Sequence, residues 1–170
     1  SPTCAADVVD EFKNKVKFIL DGGKCKIGLE STIVDLTDKP TILRQGSITA
    51  EKINKILSSK IKVKNKFKII KAPGQLNFHY SPGIPVYMNK TKSKLNGAFI
   101  TFGKKFNSAK NHFNLSKSNN LNEAANNLYK IMRKIKKKGF RSITVCKIPN
   151  YGIGGAINER LKKASYKWKK

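Results

Sequence analysis

The chain has 170 residues, 39% of them hydrophobic, and a formal net charge of +26, from 36 Lys and Arg against 10 Asp and Glu. No apolar run reaches the roughly 20 residues of a membrane-spanning helix and the start shows no signal-peptide pattern, so a globular, cytoplasmic protein is expected. Cys4, Cys25 and Cys146 are odd in number and form no C-x-x-C, which reads as free thiols; with only His79 and His112 besides, no metal site is expected.

In chain order, Thr3 is placed to cap a helix whose apolar positions Ala5, Val8, Val9, Phe12 and Val16 follow helical spacing. A strand Phe18-Ile19-Leu20 is expected next, ending at the turn Asp21-Gly22-Gly23. Ile33, Val34 and Leu36, then Ile42 and Leu43, read as two short strands joined through Asp38-Lys39-Pro40 and bounded by Gly28 and Gly46. Ser31 and Thr32 stand at the mouth of the first strand and Arg44 at the end of the second. Ser47-Ile48-Thr49 leads into a helix from Ala50 to Leu57 with Ile53, Ile56 and Leu57 on one face. From Ser58 to Lys71, Ile61, Val63, Phe67 and Ile69 alternate with lysines as in an edge strand or tether. In Pro73-Gly74-Gln75-Leu76-Asn77-Phe78-His79-Tyr80-Ser81-Pro82, two prolines and a glycine disfavour a helix, so its aromatic cluster follows an irregular, extended path.

A second unit starts at about Pro85. Val86-Tyr87-Met88, Ala98 to Phe102 and Ser142 to Cys146 are strand candidates. Leu121, Ala124, Ala125, Leu128, Ile131, Met132 and Ile135 form a helical stripe that Gly139 ends, and a last helix runs near Ala156 to Ala164. Alternating strands and helices imply an α/β layer with a mostly parallel sheet. Gly152-Ile153-Gly154-Gly155 lacks the full G-x-G-x-x-G spacing, since Ile157 takes the last glycine position, and reads as a tight turn before a helix.

The motifs point further. Ser1-Pro2-Thr3, then Gly28-Leu29-Glu30-Ser31-Thr32-Ile33-Val34-Asp35, then Leu43-Arg44-Gln45-Gly46, then Pro73-Gly74 with His79-Tyr80-Ser81-Pro82, closely resemble the threonylcarbamoyl-AMP synthase family in its two-domain form. Gly152-Ile153-Gly154, Ala156-Ile157 and Arg160-Leu161-Lys162-Lys163-Ala164 match that family's C-terminal pattern, whereas about Asn89 to Asn120 matches only in general character. The resemblance implies residues 1–60 from the C-terminal part of a YrdC-like catalytic domain, a linker over 61–84 and a Rossmann-like domain over 85–170. The Lys-x-Arg phosphate grip and the Ser-x-Asn turn of the family have no counterpart here, so a partial chain, inactive when isolated, is expected.

The resemblance further implies condensation of L-threonine, bicarbonate and ATP to threonylcarbamoyl-AMP and pyrophosphate, for threonylcarbamoyladenosine modification of tRNA. Mg²⁺ is the implied metal, and tRNA or tRNA-modification proteins are the implied downstream partners. Ser31 and Thr32 read either as strand-face hydroxyls or, through the resemblance, as L-threonine contacts. Arg44 is the first arginine of a chain with 32 lysines and four arginines. It reads as an ion-pair partner of Asp35 or Glu30, or as a fork that a lysine cannot replace. By resemblance Ser1, Arg44 and Tyr80 contact ATP. His79 and Tyr80 read as a hydrophobic plug or as a lid shielding a hydrolysable adenylate. No residue is identified as catalytic, since nothing in the sequence sets His79 beside a nucleophile. The lysine- and asparagine-rich basic charge reads as a solvated surface, with double-stranded RNA binding as a further expectation. The alternative to an enzyme is a basic tRNA-interacting or regulatory module without catalysis of its own.

Overall fold

The computed structural model describes residues 1–64, 67, 69–76 and 79–166. Helix α1 (Ala5–Phe12) begins after Cys4, not with a Thr3 cap, because the Thr3 amide and hydroxyl both donate to the Asp7 carboxylate at 2.8 Å. None of its residues is buried. The expected strand Phe18-Ile19-Leu20 does not form; Phe18 is 89% and Leu20 100% exposed, and an isolated apolar triplet with no neighbouring strand leaves its main-chain groups to water.

Strands β1 (Ile33–Asp35) and β2 (Thr41–Arg44) pair antiparallel, with an irregularity between Ile33 and Val34. Helix α2 (Ala50–Leu57) spans the residues that the sequence predicts, with the Thr49 hydroxyl accepting the Lys52 N–H at 3.5 Å. The basic stretch then supplies β3 (Lys62–Val63), which joins the free side of β2 in parallel, as an edge strand. Asn77 and Phe78 of the expected aromatic cluster lie outside the described residues.

The second sheet contains β4 (Val86–Tyr87), β5 (Ala98–Thr101), β6 (His112–Asn114) and β7 (Ile143–Val145) in the order β4-β7-β5-β6, every pair parallel. Helices α3 (Leu121–Lys137) and α4 (Gly154–Ala164) complete the layer. The expected α/β fold with a mostly parallel sheet is therefore present. β5 and β7 are continuously buried, as parallel strands covered on both faces are. The one buried hydroxyl pointing along β7, on Thr144, donates to the Ala98 carbonyl at 3.0 Å, which removes the cost of placing it in the core. Asn120 caps α3 by accepting the N–H groups of Asn122 (2.8 Å) and Glu123 (3.1 Å), while Lys134, Lys136 and Lys137 fall where the helix dipole favours cations. The buried face of α3 is the predicted stripe with Tyr129 added, and its Leu121 and Ile131 are only partly buried.

The N-terminal part rests on α3. Asn126 donates to the carbonyls of Cys25 (2.9 Å) and Lys26 (2.7 Å), and a Cβ on Gly28, whose φ is +75°, would stand 2.6 Å from the Asn126 Cα. Helix α1 is tied to the same helix by charge: Arg133 to Asp7 (3.7 Å) and Glu11 (3.2 Å), and Lys137 to Asp10. Exposed ion pairs are screened by salt, whereas apolar burial is not. Raising NaCl to about 1 M, where the Debye length is about 3 Å, is therefore expected to speed amide hydrogen exchange across residues 5–12 and leave the central turns of α3 unchanged. Equal protection of α1 at low and high salt would show that something other than these pairs seats it.

Candidate functional site

The end of β2 faces the loop before β1, and Arg44 bridges them. Its Nε donates to the Ser31 carbonyl (2.9 Å), one terminal nitrogen to the Ser31 hydroxyl oxygen (3.1 Å) and the other to the Pro73 carbonyl (3.4 Å). The ion pair with Asp35 or Glu30 that its charge suggests is not made. Asp35 instead binds Thr37 and Lys71 (3.2 Å), and hydrogen bonds from the Thr37 hydroxyl and amide and from Lys71 hold its carboxyl down at about 2. Ser31 is exposed and accepts from Arg44, so its own proton is available to a further partner. Thr32 differs: its hydroxyl donates to the Ile48 carbonyl at 2.6 Å, which ties the hydroxyl pair to the loop after β2.

The linker returns over this point. Gly74 has φ +84°, and a Cβ there would lie 2.4 Å from the Tyr80 hydroxyl and 3.3 Å from Arg44 Cδ, so only glycine lets the two side chains converge. The Gly74 carbonyl accepts from the Lys163 ammonium of α4. Tyr80 itself sits at φ +62°, a backbone conformation that L side chains rarely adopt. Its ring meets His79 edge-on at 4.0 Å, stacks on Tyr129 at 5.9 Å and lies under the Arg160 guanidinium at 5.2 Å. Burial raises the Tyr80 phenol and lowers the His79 imidazole, which is therefore neutral at pH 7. The buried His79 Nδ1 has no hydrogen-bond partner among the described residues.

Beneath the tyrosines lies Glu30. Its carboxylate accepts from the Ser1 hydroxyl, from Tyr129 at 3.1 Å and from Arg160 Nε at 3.0 Å. Arg160 is 1% exposed and also pairs with Glu159 at 3.4 Å. Burial pushes the Glu30 carboxyl up, but the hydrogen bonds from Ser1 and Arg160 together with the Arg160 charge prevail and hold it below its ordinary 4.5. Thus Ser1, Tyr80 and His79 meet around Glu30 and Arg160, beside a cavity of about 270 Å³ that Arg133 and Lys136 also line. Arg44, which holds Ser31, meets Tyr80 from the other side, across Gly74, while Thr32 turns away toward Ile48. From sequence Arg160 carries no role and Glu30 only that of an ion-pair partner for Arg44, although both stand inside matched motifs. The signal was the lone acid preceding Ser31-Thr32 and an arginine in a lysine-biased helix.

A cleft where a small mixed sheet abuts a parallel α/β layer, lined by hydroxyls, aromatic rings and guanidinium groups, defines a small-molecule site. A family profile described as threonylcarbamoyl-AMP synthase, C-terminal domain, matches residues 48–165, and one described as telomere recombination matches residues 1–46. The threonylcarbamoyl-AMP synthase of Pyrococcus abyssi is 32% identical over 97% of this chain and 54% of its own length. That of Schizosaccharomyces pombe is 38% identical over 58% of this chain and 27% of its own. The crystal structure of P. abyssi Sua5 complexed with L-threonine superposes with a TM-score of 0.83 at 29% identity, covering 97% of this chain and 54% of that one. A P. abyssi Sua5 variant with an adjacent histidine and tyrosine replaced by alanine gives 0.81 at 27% identity, over 97% and 53%. This chain belongs to the threonylcarbamoyl-AMP synthase family, and it spans about half the length of its P. abyssi relative or less of the others.

Because the folded Glu30 carboxyl is held below 4.5, the stability it contributes is present above pH 4.5 and lost as pH falls through its lowered value. Glu30→Gln is therefore expected to cost about 2 kcal/mol at pH 7, discounted from a fully buried pair because the Glu30 side chain is 21% exposed. In urea titrations the gap between the two proteins should narrow toward pH 3; a gap independent of pH would make packing, not charge, the cause.

Proposed function

We propose that this chain is part of an L-threonylcarbamoyladenylate synthase that serves threonylcarbamoyladenosine modification of tRNA. The amine of L-threonine adds to bicarbonate with loss of water, the resulting carbamate oxygen attacks the α-phosphate of ATP, and the bond to pyrophosphate breaks. Family membership supports the reaction, and the line of contacts from Ser31 through Arg44 to Tyr80 at Gly74 is the observation that carries the assignment of residues. In this reading the open Ser31 hydroxyl contacts L-threonine, and Thr32, fixed to Ile48, keeps that loop in place beside it. Arg44, Ser1 and Tyr80 face the nucleotide, where a guanidinium offers the paired donors that phosphate oxygens accept. His79 and Tyr80 close the mouth against water, which would hydrolyse the mixed anhydride. A neutral, half-buried His79 suits a lid better than a phosphate grip.

The described residues contain no group of three His, Cys, Asp or Glu side chains that could hold a metal. In this reading Mg²⁺ would accompany the nucleotide's phosphates, and none of these residues is assigned to it. We divide the chain into a catalytic part over 1–60, a linker over 61–84 and a C-terminal domain over 85–170. The isolated chain we read as inactive, since neither α1 nor α2 buries a single residue and the catalytic part carries apolar side chains such as Phe18, Leu20 and Leu36 on its surface. No helix among the described residues is long and apolar enough to cross a membrane.

In a protein that includes the remaining length of the relatives, Arg44→Lys should lower kcat/KM for ATP by more than about tenfold, or 1.4 kcal/mol, because lysine keeps the charge but cannot hold Ser31 and Pro73 together. Unchanged ATP kinetics would remove Arg44 from the nucleotide site. Tyr80→Ala tests the lid: the ratio of pyrophosphate released to tRNA modified should rise. If both fall in proportion, the linker positions substrates and does not guard the product.

A further inference from the structure

Away from this site, the carboxyl end of the parallel sheet opens into a cavity of about 730 Å³. Met88 and Lys90 run on from β4, Lys147 and Ile148 from β7, and α4 supplies Glu159 and Lys162. β4 and β7 are hydrogen-bonded neighbours whose continuations part company, one crossing toward β5 and the other entering α4. Diverging connections at the carboxyl ends of parallel strands are where open α/β sheets leave a crevice for ligands. The volume falls in the range of small-molecule sites, about 300–1,000 Å³, and exceeds what a bare anion fills.

The charge of the cavity is uncompensated. Lys90, Lys147 and Lys162 have no acidic partner among the described residues. Glu159, the acid in the wall, already accepts from Lys163 (2.8 Å) and the Gln45 main-chain N–H (3.1 Å) and pairs with Arg160 (3.4 Å). Three exposed lysines therefore line one concavity that has an apolar wall from Met88 and Ile148, and an anion entering it would meet positive charge from more than one side. The Gln45 side chain closes the inner end, packed so near Gly155 that a Cβ there would stand 2.7 Å from its amide oxygen.

We propose that this crevice binds a phosphate ester of mononucleotide size, with the phosphate among Lys90, Lys147 and Lys162 and the uncharged part against Met88 and Ile148. The site is separate from the one assigned above to ATP and L-threonine and does not depend on that assignment. A concave, partly apolar cavity favours a small ester over a nucleic-acid strand, which lysines on an open face would take equally well.

The experiment is a titration of the ¹⁵N-labelled full chain with AMP, followed by amide resonances. AMP should shift the amides of Lys90, Lys147 and Gly155, bind more tightly than adenosine or inorganic phosphate, and lose at least about tenfold in affinity in the double variant Lys147→Glu, Lys162→Glu. Both lysines are exposed, so the spectrum far from the cavity should report an intact fold. Arg44→Lys should leave these shifts in place. Shifts confined to the neighbourhood of Arg44, no shifts at all, or AMP binding that survives the charge reversal would each overturn the proposal. So would AMP binding no tighter than phosphate, or a short single-stranded RNA that displaces AMP from these amides and binds them more tightly.

Discussion

The structure depends on what surrounds one buried cation. Arg160 is almost completely withdrawn from water, and an isolated charge in that position would be costly by several kcal/mol. It is tolerable because Glu30 reaches it from the β1 loop, Glu159 flanks it on its own helix and the Tyr80 ring covers it. Its two terminal nitrogens have no hydrogen-bond partner among the described residues, so the pairing is electrostatic more than directional there. The consequence is architectural: the cost of burying Arg160 is offset only while the loop before β1, the linker and α4 are all in place. A purely apolar contact among three such segments would tolerate sliding, whereas a buried charge with fixed partners does not.

That constraint explains how the candidate site is assembled from parts far apart in sequence. Glu30 precedes Ser31 directly, so anchoring the acid on Arg160 sets the position of the hydroxyl next to it. From α4, Lys163 holds the linker's Gly74 carbonyl, and Gly74 in turn makes room for the Tyr80 hydroxyl beside Arg44. Gln45, the residue after Arg44, is fixed by Glu159 and also forms the inner wall of the large crevice. The last turns of α4 thus serve as a common base for the β1 loop, the end of β2 and the linker.

What the sequence revealed, and what it hid, follows from how local each signal is. The helix over residues 50–57, the stripe of α3 and the buried runs of β5 and β7 each carry a period or a composition that local spacing exposes. β6 was hidden because only Phe113 is apolar between His112 and Asn114, and its place at the sheet edge comes from pairing with β5. Phe18-Ile19-Leu20 misled for the converse reason: β-forming residues make a strand only where another strand accepts their hydrogen bonds. The motifs singled out Ser31, Arg44 and Tyr80 as candidates, but no spacing rule could show that Glu30 meets a residue 130 positions later.

Arginine usage shows the same physics from another side. In a chain with 32 lysines, the four arginines are not scattered at random over the surface. Arg133 spans Asp7 and Glu11, Arg160 spans Glu30 and Glu159, and Arg44 joins the Ser31 carbonyl and hydroxyl to the Pro73 carbonyl. Each of these three grips at least two acceptors on separate groups, which a planar fork does at low entropic cost and a single ammonium does poorly. Only Arg141 is exposed without such a role among the described residues. Lysine, by contrast, supplies charge wherever one contact or none suffices. In a composition this biased, the net charge of +26 says little about partners, whereas an arginine marks a place where two segments have to be held at once.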